Sequence, residues 1–161
     1  MTRDIRDDIG HWVRPEIRAL AAYHVPDPGR CIKLDAMENP YGWPDELVDA
    51  WLARLRGVPL NLYPDPSARR LQDSLRAAMD VPADMGILFG NGSDELIQMI
   101  AQTVAAPGRT ILAPEPTFVM YRLIAQVTGM RFVGVPLRDD FALDTDALLE
   151  AVGREQPAVV F

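Results

Sequence analysis

Ile87-Leu88-Phe89-Gly90-Asn91-Gly92-Ser93-Asp94-Glu95-Leu96-Ile97 passes from an apolar triplet through a glycine-bracketed turn into the start of a helix. Gly90 and Gly92 permit backbone angles that let main chain approach a ligand closely. A helix opening at Ser93 leaves its first amides without intrahelical partners, and these can converge on an oxyanion. Such a cup suits a phosphate monoester, whether substrate or cofactor. No Gly-Lys-Ser/Thr follows the turn, and Glu95 stands where a G-x-G-x-x-G fingerprint needs its third glycine. Asp94 and Glu95 would repel a phosphate unless their carboxylates turn aside. The cup then consists of the Gly92, Ser93 and Asp94 amides with the Ser93 hydroxyl. Carboxylates favour the dipole of a first helical turn in any case. An ordinary strand-to-helix connection is the plain alternative, and the turn alone does not separate the two.

Downstream, strands and helices alternate. A strand over 87–89 precedes a helix over 93–106 whose Leu96, Ile100 and Val104 make an apolar stripe, ended by Pro107-Gly108. A strand over 110–113, a helix over 117–128 closed by Gly129 and a strand over 131–135 follow. A last helix over 144–152 closes at Gly153 and leads to the apolar run Ala158-Val159-Val160-Phe161. This order predicts an α/β fold with a mainly parallel sheet covered by helices. Ligands of such sheets sit at the carboxyl ends of strands, where the glycine turn falls.

Upstream the pattern is looser. The first forty or so residues carry prolines and charges, with one short helix near 15–22 and a short strand over 32–34. This reads as an arm lying on something else. Pro44 opens a marked helix with Asp45 and Glu46 at its start, and Leu47, Trp51, Leu52 and Leu55 on one face, ended by Gly57. Residues 61–66 form a proline-fixed loop. From Ser67 a helix presents Leu71, Leu75 and Met79. The expected organisation is an amino-terminal arm and the start of a small domain over 1–43, linking helices and a contact loop over 44–84, and a larger α/β domain from 85 onward.

The 161 residues suffice for a sizeable core, and 48% hydrophobic content suits a soluble globular protein. A net charge of -7 argues against general binding to nucleic acid or anionic membrane, so an anion must be held by local geometry. The single cysteine, Cys31, makes no internal disulfide, which fits a cytoplasmic protein; it reads as a small apolar residue rather than a nucleophile. The charged start has no secretory pattern, and no apolar run reaches the roughly 20 residues of a membrane span. His11 and His24 lack metal-ligand spacing, so no metal site is expected. There are fifteen arginines and one lysine, Lys33. An edge-exposed Val-Val-Phe end would suit a complete protein poorly, so the chain reads as the front of a longer one.

Two tyrosines join the glycine turn as candidates. Tyr121 lies about one turn into the helix after Pro114-Glu115-Pro116-Thr117-Phe118, at the carboxyl end of the second strand. Its ring can lie flat over an aromatic ligand, or it can be a core residue beside Phe118. Tyr63, in Leu62-Tyr63-Pro64-Asp65-Pro66, has a hydroxyl able to donate to a phosphate, or it packs on its own subunit as a surface turn.

Four segments in order resemble the histidinol-phosphate aminotransferase family: Lys33-Leu34-Asp35-Ala36-Met37-Glu38-Asn39-Pro40-Tyr41-Gly42, Leu62-Tyr63-Pro64-Asp65, Gly90-Asn91-Gly92-Ser93-Asp94-Glu95 and Pro116-Thr117-Phe118-Val119-Met120-Tyr121. Met37 departs from the Asn common there. The resemblance covers the whole chain and the front half of a family member. It implies a fold-type-I pyridoxal 5'-phosphate enzyme working as a homodimer. By that likeness Gly92, Ser93 and Asp94 hold the cofactor phosphate and Tyr121 stacks on its pyridine ring. Tyr63 reaches the partner subunit's cofactor phosphate, Tyr23 grips the substrate phosphate, and Asn39 lies beside the substrate. The implied reaction exchanges an amino group between glutamate and imidazole-acetol phosphate in histidine biosynthesis. The family's Schiff-base lysine, its pyridine-pairing Asp and its substrate-binding Arg are expected beyond Phe161, so the 161 residues alone are expected to be inactive. Threonine-phosphate decarboxylase, or another aminotransferase of the subgroup, shares the turn. A reading of another class is a non-catalytic phosphate-binding domain.

Overall fold

The computed structural model describes residues 5–21, 27, 29–34 and 36–161. They fall into two units, Tyr23–Ile87 and a unit joining Leu88–Phe161 with the amino-terminal helices α1 (Ile5–Trp12) and α2 (Pro15–Arg18). In the first unit α3 (Asp45–Leu55) and α4 (Arg69–Ala78) carry the regular structure. Asp45 and Glu46 complement the first-turn dipole of α3, as the sequence suggests. Its Trp51 meets Trp43 edge to face at 6.0 Å. Asp65 ties the proline loop to α4, its carboxylate accepting from the amides of Ser67 at 2.9 Å and Arg69 at 3.3 Å. At the far end of α4, Arg76 donates to the carbonyls of Val81, Pro82 and Met85, which orders the chain after the helix.

The second unit continues with α5 (Ser93–Val104), β1 (Thr110–Glu115), α6 (Val119–Val127), β2 (Arg131–Pro136), α7 (Thr145–Glu155) and β3 (Val159–Val160). The sheet is parallel with order β2-β1-β3. Pairing of β1 with β2 runs from Thr110 opposite Arg131 to Glu115 opposite Pro136, and Ile111 and Leu112 face Val159 and Val160 across β3. The chain goes from β1 to β2 through α6, then crosses back through α7 to the other side of β1. Because parallel crossovers are right-handed, steps in opposite directions put their helices on opposite faces. The core obeys this. Ile111 packs with Ile97 and Ala101 of α5, Ile124 and Ala125 of α6, and Met130, whereas Leu112 packs with Val135 and Ala151 of α7. Successive residues of β1 thus serve opposite layers, and the expected parallel, doubly covered sheet is present.

Several local expectations fail for physical reasons. Residues 87–89 and 32–34 form no strands. A strand exists through its ladder, and neither segment has a partner strand among the described residues; Ile32 and Leu34 are exposed. α7 does not close at Gly153. It continues to Glu155 because Arg131 and Arg154 pair with Glu155 in the last turn, and Gln156 in the left-handed conformation ends it. α1 was not expected, although Ile5, Ile9 and Trp12 have the i, i+4, i+7 spacing of one helical face. Arg14, just before α2, donates to the Val127 carbonyl at the end of α6, which docks the amino-terminal helices on this unit.

Candidate functional site

Residues 105–109 turn the chain from α5 straight into β1, so the amino end of α5 lies at the carboxyl end of β1. Residues 116–118 likewise bring the amino end of α6 to that edge, where β3 also ends. One edge of the sheet therefore gathers the glycine turn, Tyr121 and Phe161. This is also where the connections leaving β1 and β2 pass to opposite faces of the sheet, the usual crevice of an open parallel sheet.

The turn is built residue by residue. Gly92 caps α5 with φ 83° and ψ -180°, a region essentially confined to glycine, and open space surrounds it on the side a Cβ would take. Gly90 serves packing instead: a Cβ there would lie 3.0 Å from Leu96 Cγ and 3.2 Å from Glu95 Oε2. The Glu95 carboxylate turns back and accepts from the Asn91 amide. One of the two acidic side chains is thereby directed away from the opening at Gly92. Asp94 stays next to the Ser93 hydroxyl, 3.5 Å away, at the outer limit of a hydrogen bond. The Gly92 amide is already committed to the Gly90 carbonyl at 2.9 Å. Of the three amides expected to form the cup, that leaves those of Ser93 and Asp94, at the head of α5, as the donors an anion would meet.

Tyr121 is half-buried against the core of α5, β1 and α6. Its ring stacks on Phe161 with centroids 4.6 Å apart and planes 3° apart, and Phe118 meets it edge-on at 5.7 Å. The Phe161 contact depends on β3 ending beside α6 and is not legible in the sequence. Beside this platform Arg122 Nη2 donates to Glu115 Oε1 at 2.6 Å and lies over the Phe132 ring, 4.4 Å from its centroid. Pairing of Glu115 with Arg122 was also unforeseen; the two stand seven residues apart, across the loop from β1 into α6.

The other candidates stand on the first unit. Tyr63 is fully exposed, at 101%, so its ring does not pack on its own chain. Asn39 Oδ1 accepts from the Tyr41 amide at 3.1 Å, an Asx turn that shapes the Asn-Pro-Tyr-Gly segment. Lys33 pairs with Glu38 at 3.3 Å. Tyr23 and His24 lie outside the described residues. Among the described residues no cluster of His, Cys, Asp or Glu has the makings of a metal site, and no helix is long and apolar enough to cross a membrane.

A family model described as aminotransferase class I and II matches residues 29–161. Histidinol-phosphate aminotransferase of Thiocapsa roseopersicina is 59% identical over 156 residues, which are 96% of this chain and 82% of that protein. Histidinol-phosphate aminotransferase 2 of Nitrosococcus oceani is 56% identical over 156 residues, 97% of this chain but 43% of that protein. The solved structure of histidinol-phosphate aminotransferase from Sinorhizobium meliloti in complex with pyridoxal-5'-phosphate superposes with a TM-score of 0.71 at 27% identity, covering 92% of this chain and 41% of that one.

Proposed function

Starting from a chain that belongs to the aminotransferase class I and II family, we propose that it carries the phosphate cup and ring platform of a pyridoxal-phosphate-dependent histidinol-phosphate aminotransferase. One observation carries this reading: two uncommitted amides at a glycine-capped helix start share a sheet edge with an aromatic platform. Similarity to histidinol-phosphate aminotransferases at 59% and 56% identity supports the substrate class. The chain spans 43% of the Nitrosococcus protein and 41% of the Sinorhizobium one, so the activity proposed is that of a protein of their length.

The residues fit the cofactor. The side of Gly92 is open, the Glu95 carboxylate is occupied elsewhere, and the helix dipole favours a dianion without any lysine at the turn. Bound there, pyridoxal phosphate supplies a carbonyl to accept the amino group and a ring to delocalise charge. Ser93 and Asp94 hold its phosphate through their amides, and the Ser93 hydroxyl adds a donor. Gly92 contributes the backbone angle that aims them. Tyr121 lies along the pyridine ring. Tyr63 donates its hydroxyl to the phosphate of the partner subunit's site in a homodimer; its exposure and the rigid loop held by Asp65 support this role. Tyr23 grips the substrate phosphate and Asn39 flanks the substrate. Amino transfer needs a lysine base at the reacting carbon, and Lys33, paired with Glu38 on a different motif, does not fill that role. The 161 residues alone are therefore proposed to be inactive. The enzyme is proposed to act in the cytoplasm, in histidine biosynthesis.

The test is to assay the protein at its relatives' length with histidinol phosphate and 2-oxoglutarate, and separately with threonine phosphate. Glutamate formation from histidinol phosphate supports the reading. Carbon dioxide release from threonine phosphate, without amino transfer, would assign the decarboxylase instead.

A further inference from the structure

The loop that sets Tyr121 is held by a clamp standing on β2. Glu115 pairs in register with Pro136, and Gly134, two residues earlier, lies on the same face of β2. Without a side chain there, Glu115 lies flat across the strand: a Cβ on Gly134 would come within 1.9 Å of Oε2 and 2.4 Å of Cδ. Its other oxygen, Oε1, takes the Arg122 guanidinium at 2.6 Å. That guanidinium in turn covers Phe132, again on β2. Both halves of the ion pair thus rest on one strand, and together they bridge the end of β1 to the first turns of α6. A hollow of about 210 Å³, lined by residues 115–119, Arg122 and Phe132, adjoins the pair.

We propose that Glu115 and Arg122 are positioning residues that fix the rotation of α6 against β2 and so set the plane of the Tyr121 ring. Adjacent residues on a helix point about 100° apart, so a turn of α6 about its axis swings Arg122 and Tyr121 together. The ion pair is half-exposed and contributes little to global stability. Its function is local. The cofactor role of Tyr121 rests on the function proposed above, but the clamp itself does not.

The experiment uses the protein at its relatives' length. In the cofactor-free form, amide exchange at Tyr121, whose N–H bonds the Phe118 carbonyl at 3.2 Å, is compared in wild type, Glu115→Gln, Arg122→Lys and Gly134→Ala. Pyridoxal phosphate affinity and the visible dichroism of the bound cofactor are then measured. Glu115→Gln and Gly134→Ala should each speed Tyr121 exchange by about fivefold, raise the cofactor Kd by a similar factor and alter the dichroic band, with melting temperature unchanged in Glu115→Gln. Arg122→Lys, which keeps the charge but not the planar stack, should fall between. Unchanged exchange and dichroism in a folded Glu115→Gln protein overturn the clamp. Faster exchange in a protein whose wild type binds no pyridoxal phosphate sustains the clamp and overturns the functional reading.

Discussion

Gly92 shows what a single residue contributes. Its φ of 83° with ψ at -180° is a backbone setting that a Cβ opposes although nothing crowds the position, so the demand is conformational rather than steric packing. Gly92→Ala is expected to destabilise the protein by roughly 1–3 kcal/mol and to weaken pyridoxal phosphate binding, measured by chemical denaturation and cofactor titration. Wild-type affinity in this variant would remove the turn from the cofactor site. Tyr121→Ala should cost about 1 kcal/mol or more of cofactor binding through lost stacking; an unchanged Kd would return Tyr121 to the core. The glycine turn was legible from its two glycines just before a helix start, and Tyr121 from its place after the strand that became β1. The Glu95 carboxylate turned onto Asn91, and Phe161 under Tyr121, were not, since both depend on where side chains settle after the elements pack.

Among the elements, β1 is the member everything else leans on. Leu112 is fully buried between β1 and α7, and Leu112→Ala should lower stability by about 2–5 kcal/mol on denaturant melting. Helix α7 is tied by two carboxylates. Asp144 is held below its ordinary 3.8 first by the Ala147 amide and then by Arg138. Glu155 is held below its ordinary 4.5 by Arg131 and then Arg154. A depressed carboxyl stabilises the fold above its unfolded-state pKa, and that contribution disappears as pH falls through the lower folded-state value. Melting temperature should therefore drop as pH falls below the ordinary carboxylate range, and drop less steeply in Glu155→Gln. Equal slopes for the two proteins would show that the Arg131 pair does not couple β2 to α7. The alternation of β1, α6, β2 and α7 was readable from periodicity and glycine stops. The run over 87–89 misled because apolar composition marks a potential strand, while a strand needs a neighbour to pair with. Gly153 misled because a tertiary ion pair two residues later outweighs a glycine's weak preference for ending helices.

For the molecule as a whole, the family was readable because four short motifs keep their order across the chain, and similarity over 96% of its length agrees. Tyr63 and Asn39 are a different matter: the roles proposed for them involve a second subunit and a substrate, which one chain's sequence does not contain. In mixed dimers pairing Tyr63→Phe with a lysine-base mutant, both defects should fall on the same site if Tyr63 crosses the interface, leaving one site intact. Loss of both sites, each through its own chain's defect, would confine Tyr63 to its own subunit. A structure of the protein at its relatives' length bound to pyridoxal phosphate decides the rest. Its phosphate oxygens should lie about 2.7–3.2 Å from the Ser93 and Asp94 amide nitrogens; a phosphate bound elsewhere, with those two amides facing solvent, would contradict the assignment.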